Sequence, residues 1–264
     1  MEHQSVYRDD WDEIVSQFIL QNEPFEGYWE ESERYALNFV DKVLKGATKQ
    51  RLLDLGCGRG RLLGRFADRF KAVVALDSDH TRLDKAKNAV RLDGLKNVEF
   101  VNGLFEDCVS DLGMFDMILC SHVIQHLPTA DLAGMFKLIH KALVPGGILV
   151  LLTSHSEESR DIYKLWRIGN PGKRVVEERL HSAGAFNGCF VDGSNDQIPT
   201  HAFAIESLRE YLESFRLKRI QCFHALHKRN RMDALVFRDY WINFPWFKGL
   251  FGIDVLIIAE KLAG

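Results

Sequence analysis

Leu52-Leu-Asp-Leu-Gly-Cys-Gly-Arg-Gly60 is the stretch that decides the fold. Its first four residues read as a short strand, and three glycines at alternate positions follow at once. Gly56, Gly58 and Gly60 permit a tight turn and close approach of a ligand to the backbone, because glycine takes positive φ without steric cost. The residues beyond read as a helix, Arg61–Arg69, whose first N–H groups have no partner within the helix and face whatever the loop holds. A second strand ends in Val73-Val-Ala-Leu-Asp77. Its carboxylate therefore falls about twenty positions after the loop begins, where it can accept from both ribose hydroxyls of an adenosine.

A glycine loop alone has other readings. A dinucleotide loop of the GxGxxG type wants glycine at position 61, where Arg61 stands, and a phosphate loop ends in Gly-Lys-Ser/Thr, which is absent. A structural turn without ligand is the third.

Outward from the loop, short apolar runs alternate with amphipathic stretches. Strands are expected at Arg51–Leu55, Ala72–Asp77, Val98–Val101, Phe115–Cys120, Gly147–Thr153, Leu217–Phe223 and Asp254–Glu260. Helices are expected at Arg61–Arg69, Asp79–Leu92, Thr129–Leu143 and Ile205–Phe215, with Asp79 and Thr129 as N-caps. Such alternation predicts an α/β, doubly wound, Rossmann-like fold with a mostly parallel sheet, ligands lying beyond the carboxyl ends of its strands. One domain over 1–264 is expected: a helical segment (1–48), a core around the glycine loop (49–153), a polar insertion after the fifth strand (154–204), and the rest of the sheet with an aromatic segment (205–264). In the first segment, a Tyr28-Trp29 turn precedes an amphipathic helix from Glu31 to Leu44.

The totals narrow the function classes. A net charge of -3 excludes a basic surface spread over the whole chain. The five cysteines, at 57, 108, 120, 189 and 222, are widely spaced and contain no CxxC pair, so neither a disulfide framework nor a zinc site is indicated. No metal is expected. The polar, acidic first ten residues do not read as a signal peptide, and the longest apolar runs are too short to span a bilayer. A cytoplasmic protein with reduced thiols, monomeric or homodimeric, is the expectation.

The ordered motifs resemble the class I S-adenosylmethionine-dependent methyltransferases. They are the Asp54–Gly60 loop, Ala75-Leu-Asp-Ser78, Val98-Glu-Phe-Val-Asn-Gly103, Phe115–Leu127 and Leu143-Val-Pro-Gly-Gly-Ile148. The resemblance covers residues 50–155 well and 203–262 loosely. It implies a seven-stranded sheet whose last strand runs antiparallel, residues 1–48 as a helical lid over a cofactor-binding core at 49–153, S-adenosyl-L-methionine as cofactor and S-adenosyl-L-homocysteine as product. It also implies roles: the backbone of Gly56 and Gly58 along the methionine part, with Gly60 and the structural Cys57 in the same cofactor-binding loop, and Asp54 at its ammonium. Asp77 would take the ribose, Ser78 would lie beside the adenine, and Cys120 and Ser121 near the sulfonium. Many relatives have an aspartate after the glycine at 103. Here Leu104, Phe105 and Glu106 follow, so adenine would be held by apolar and backbone contact with Glu106 as a substitute. Core packing is the other reading of Leu104 and Phe105.

Methyl transfer from a sulfonium chiefly requires alignment, with proton removal where the nucleophile needs it. His122 and His126, just past the fourth strand, are the candidate bases. Tyr28, Trp29 and His201 are candidate substrate contacts, with packing as the competing reading for the two aromatics. The cations of 216–231 read either as a phosphate or RNA contact or as a solvated strand face. The aromatic residues of 237–251 read as a pocket, an interface or a cover for the sheet edge. The function expected is O- or N-methylation of a small-molecule acceptor. Alternatives are a tRNA or RNA modification methyltransferase, and a cofactor-binding protein without catalysis.

Overall fold

The computed structural model describes residues 28–45, 50–169, 174–190, 197–223 and 252–262. The aromatic segment 237–251, residues 224–231 of the basic stretch and the side chains of Tyr28 and Trp29 lie outside that description.

The strands are β1 (Arg51–Leu55), β2 (Ala72–Asp77), β3 (Val98–Asn102), β4 (Phe115–Ser121), β5 (Leu143–Ser154), β6 (Ile162–Gly169), β7 (Arg174–Leu180), β8 (Gln197–Ala202), β9 (Phe215–Phe223) and β10 (Asp254–Lys261). Seven of them form one sheet in the order β3-β2-β1-β4-β5-β10-β9. β1 to β5 pair in parallel. β10 inserts antiparallel to both β5 and β9, so the last strand alone runs against the other six, as expected.

The helices are α1 (Tyr28–Leu44), α2 (Leu63–Phe66), α3 (His80–Leu92), α4 (Phe105–Leu112), α5 (Thr129–Ala142), α6 (Ala183–Gly188) and α7 (Ile205–Tyr211). Strand side chains alternate between faces, and the core divides accordingly. Leu53, Leu55, Val74, Leu76, Ile118 and Cys120 face α4, α5 and α7. Leu52, Val73, Ala75, Met117 and Leu119 face α1, α2 and α3. Burying a leucine or isoleucine this fully contributes about 1.5–3 kcal/mol. Both faces are covered, which is why these strands are mostly apolar on both sides and do not alternate with polar residues.

α1 buries Ser32, Ala36, Leu37, Val40 and Leu44, one face at helical spacing. Its outer acids catch the cations that follow the glycine loop: Glu33 pairs with Arg61, and Asp41 with Arg69 and, at 2.8 Å, with Arg65.

Several expectations are corrected. Tyr28 and Trp29 belong to the first turn of α1 and not to a turn before it. The helix after the loop is only α2, followed by a 3-10 turn at Ala67–Arg69. Asp79 caps α3 as expected, accepting from the N–H groups of Thr81 and Arg82. Thr129 is not a cap: it is the first residue of α5, and its N–H donates to Asn187 Oδ1 at 2.9 Å. The cap is thus supplied by the insertion. That insertion carries a three-stranded antiparallel sheet, β7-β6-β8, and α6. α4 was not foreseen.

Candidate functional site

The site assembles where β1, β2 and β4 end. Asp54, Asp77 and Ser121 share the strand parity of the α1–α3 face, so all three project to one side of the sheet. Gly56 and Cys57 both donate their N–H to Leu76 O, at 2.8 and 3.0 Å, which staples the loop to β2. Gly56, Gly58 and Gly60 have φ of 70°, 54° and 79°, left-handed values that favour glycine.

Asp77 is built into this loop. Its Oδ2 accepts from Gly58 N at 2.7 Å and its Oδ1 from Asp79 N at 2.9 Å. Asn102 donates to the Asp77 and Ser78 carbonyls at 2.9 and 3.1 Å, fastening the end of β2 to β3. Ser78 itself is exposed at the rim.

Asp54 is 3% exposed. Burial pushes its carboxyl up to about 7; Arg61 pulls it down and Asp77 pushes it further up. Among the described residues no donor reaches that carboxylate. Ser121 Oγ is likewise buried without a hydrogen-bond partner among them. Two neighbouring strands thus end in polar atoms that the described fold leaves unsatisfied, a situation that calls for a ligand. An ammonium suits the carboxylate, and hydroxyls suit the second lone pairs of Asp77.

Cys57 and Cys120 remain thiols. Burial, with the charges of Asp54 and Asp77, holds Cys57 well above the usual thiol range, and burial pushes Cys120 up to about 12. Neither supplies the thiolate that nucleophilic chemistry needs. Cys120 also has the opposite parity to Ser121 and packs into the α4–α5 cluster. Phe105 does the same, 2% exposed, because it is the first residue of α4. For both, the side chain is core and not a wall of the site. Leu104 precedes α4 without a capping side chain, and Glu106 is exposed in its first turn.

Past β4 the chain makes a strained turn. His122 has φ 56°, the one non-glycine with positive φ among the described residues, and its N–H donates to Leu152 O at 2.8 Å. Its Nδ1 lies 3.2 Å from Gln125 Oε1, and its Nε2 makes no hydrogen bond among the described residues. His126 has both ring nitrogens engaged: Nδ1 with Pro199 O at 2.8 Å and Nε2 with Gln125 Nε2 at 3.2 Å. Burial pushes His126 down to about 4, so it stays a neutral prop. Gln125 and Asn102 were not singled out in the sequence. A lone glutamine in Val123-Ile-Gln-His126 carries no signal of its own.

Residues 52–147 match the profile of a family described as "Methyltransferase domain". This core is similar to a methyltransferase domain, in keeping with the resemblance to the class I S-adenosylmethionine-dependent methyltransferases. An uncharacterized methyltransferase of Synechocystis sp. is 33% identical over 106 residues, 40% of this chain and 48% of that one. A ubiquinone biosynthesis O-methyltransferase of Acinetobacter baylyi is 28% identical over 112 residues, 42% and 46% of the two chains. The chain spans about half the length of these relatives. Among solved structures, that of a DhpI–SAH complex superposes with a TM-score of 0.60 at 16% identity, covering 100% of this chain and 97% of that one.

Other candidates lie outside this core, and His201 Nδ1 is buried without a hydrogen-bond partner among the described residues. His201 is 1% exposed, its ring 3.7 Å from that of Phe203 and 4.7 Å from that of Tyr163, with Nε2 3.0 Å from the Asp161 carboxylate. It is not brought together with His122. Arg216 and Lys218 both reach Glu260, at 2.5 and 2.7 Å, and Arg219 stacks 3.6 Å over Phe39. No helix among the described residues is long and apolar enough to cross a membrane.

Proposed function

We propose that this chain transfers the methyl group of S-adenosyl-L-methionine to an oxygen or nitrogen of a small-molecule acceptor, in the cytoplasm. The observation that carries the reading is the buried Asp54 carboxyl, without a donor among the described residues, on the same face as Asp77 and the unsatisfied Ser121 hydroxyl. The cofactor supplies an already activated methyl group. Asp54 holds its ammonium, Asp77 accepts from the ribose hydroxyls, and the three glycines let the backbone come close. Ser78 and Leu104 flank the adenine, with Glu106 at the rim.

His122 takes the acceptor's proton. Its Nε2 is unengaged, and the backbone strain that presents it, about 1–3 kcal/mol for a non-glycine at such φ, is the kind retained where orientation matters. His126 keeps the turn in place and takes no proton. A small acceptor is favoured over RNA because the described cations of the basic stretch are paired or stacked within the fold.

Calorimetry with S-adenosyl-L-homocysteine tests the cofactor half: no heat with the wild type, or equal affinity in Asp77→Ala, would sink it. Binding with no methyl transfer to any acceptor in an extract, followed with labelled cofactor, would return the non-catalytic reading.

A further inference from the structure

Gln125 is 7% exposed and its side-chain amide lies between the two histidines of the turn beyond β4. The two ends of its amide can be told apart by chemistry. The backbone N–H of Ser154 can only donate, and it lies 2.8 Å from one of them, which must therefore be the carbonyl oxygen Oε1. The Thr153 hydroxyl approaches the same atom at 3.3 Å. Nε2 then points at His126, and as it can only donate, the His126 Nε2 at 3.2 Å must be the unprotonated nitrogen. Independently, the Pro199 carbonyl can only accept, so His126 carries its proton on Nδ1. The two requirements agree on one tautomer.

The same logic applies on the other side. Oε1 can only accept, so the His122 nitrogen facing it at 3.2 Å carries the proton. A neutral imidazole has one proton to place, and with Nδ1 protonated the lone pair sits on Nε2, the nitrogen with no partner among the described residues.

We infer that Gln125 is a positioning residue that fixes His122 as the Nδ1–H tautomer, with its Nε2 lone pair free to receive a proton, while anchoring itself through Ser154 and His126. This rests on the reading of His122 as the base, yet the tautomer is measurable without acceptor or cofactor. If S-adenosyl-L-homocysteine fails to bind, the functional reading falls and the tautomer assignment stands. If the tautomer is wrong, the role of His122 falls with it, while the reading of the cofactor site stands.

The test is long-range nitrogen–proton correlation NMR on the full chain labelled with 15N-histidine, at about pH 8 where ordinary imidazoles are neutral. In the wild type, His122 and His126 should each show a protonated Nδ1 and an unprotonated Nε2. His122 protonated on Nε2, or present as a mixture, overturns the proposal. In Gln125→Leu, His122 should lose its single tautomer; retention of the wild-type pattern overturns it. Gln125→Glu covers the case in which the leucine variant does not fold. It keeps an acceptor for Ser154 and His122 and removes the donor to His126. His122 should then keep Nδ1–H while the His126 Nε2 shift moves towards the protonated form; His122 changing with it, or neither changing, overturns the proposal. A merely space-filling glutamine predicts no such split.

Discussion

The Asp77 carboxylate accepts from the Gly58 amide at 2.7 Å, across 19 residues of chain. The side chain proposed to hold the ribose is therefore also the one that holds the loop. Asp77→Ala leaves the amides of Gly58 and Asp79 without their acceptor, at about 1–3 kcal/mol for each buried group orphaned. The expected outcome is loss of S-adenosyl-L-homocysteine binding by calorimetry together with a lower midpoint in denaturant. Lost affinity at unchanged stability would mean that the loop does not depend on this contact.

Asp54 gives a pH dependence. A carboxyl that titrates at about 7 in the ligand-free protein must ionise before it can hold an ammonium. Affinity for S-adenosyl-L-homocysteine should therefore fall as pH is lowered through about 7, by at most roughly tenfold per pH unit. Asp54→Asn should bind weakly with a flat profile over the same range.

The same group has an effect on stability with a definite sign. Unfolded, the carboxyl titrates near its ordinary 3.8; folded, near 7. Between those values the folded state holds the extra proton, so stability of the ligand-free protein falls as pH rises through this window. Asp54→Asn should melt above the wild type at about pH 8, with the advantage shrinking as pH falls towards 3.8 and gone only below that value, where both states of the wild type are protonated. Equal melting points at the higher pH would argue against the raised value.

Gly56 and Gly58 should differ. A Cβ on Gly56 would lie 2.3 Å from Val123 Cγ2, a stiff β-branched side chain, while on Gly58 the nearest atom, at 2.8 Å, is the tip of the Arg82 guanidinium, which can swing. Both substitutions meet the left-handed backbone cost of about 1–2 kcal/mol. Gly56→Ala should lower the thermal midpoint more than Gly58→Ala; the reverse order would show that Arg82 is the more rigid neighbour.

Leu104 offers a gain. Its φ of -77° and ψ of 145° are those of an N-cap, but leucine cannot accept from the first turn of α4. Leu104→Asp should stabilise the fold by about 1 kcal/mol, read as a higher denaturant midpoint.

The strands were legible because the sheet is buried on both faces, so that runs such as Ile148–Leu152 are apolar without interruption. The glycine loop and Asp77 were legible because backbone geometry restricts which residues stand there. α4 was hidden by Leu104, which gives no start signal, although Glu106, Asp107 and Gly113 mark its first turn and its end. Cys120 and Ser121 were grouped by adjacency, yet neighbours on a strand face opposite sides, and the pleat separates them. Gln125 was illegible for a different reason: its role lies in partners at 153, 154 and 199, and nothing local announces them.

Asn187 and Pro199 have a further consequence. Both belong to the excursion between β5 and α7, and both reach back across the chain, one to the first N–H of α5 and the other to the ring of His126. The excursion is thus bolted to the acceptor-side turn at two points, and neither bolt touches the glycine loop. A graft that replaces this excursion with another sequence is expected to change what the proposed acceptor side takes while affinity for S-adenosyl-L-homocysteine stays as it was, provided the incoming piece brings one acceptor for the Thr129 amide and one for the His126 Nδ1–H.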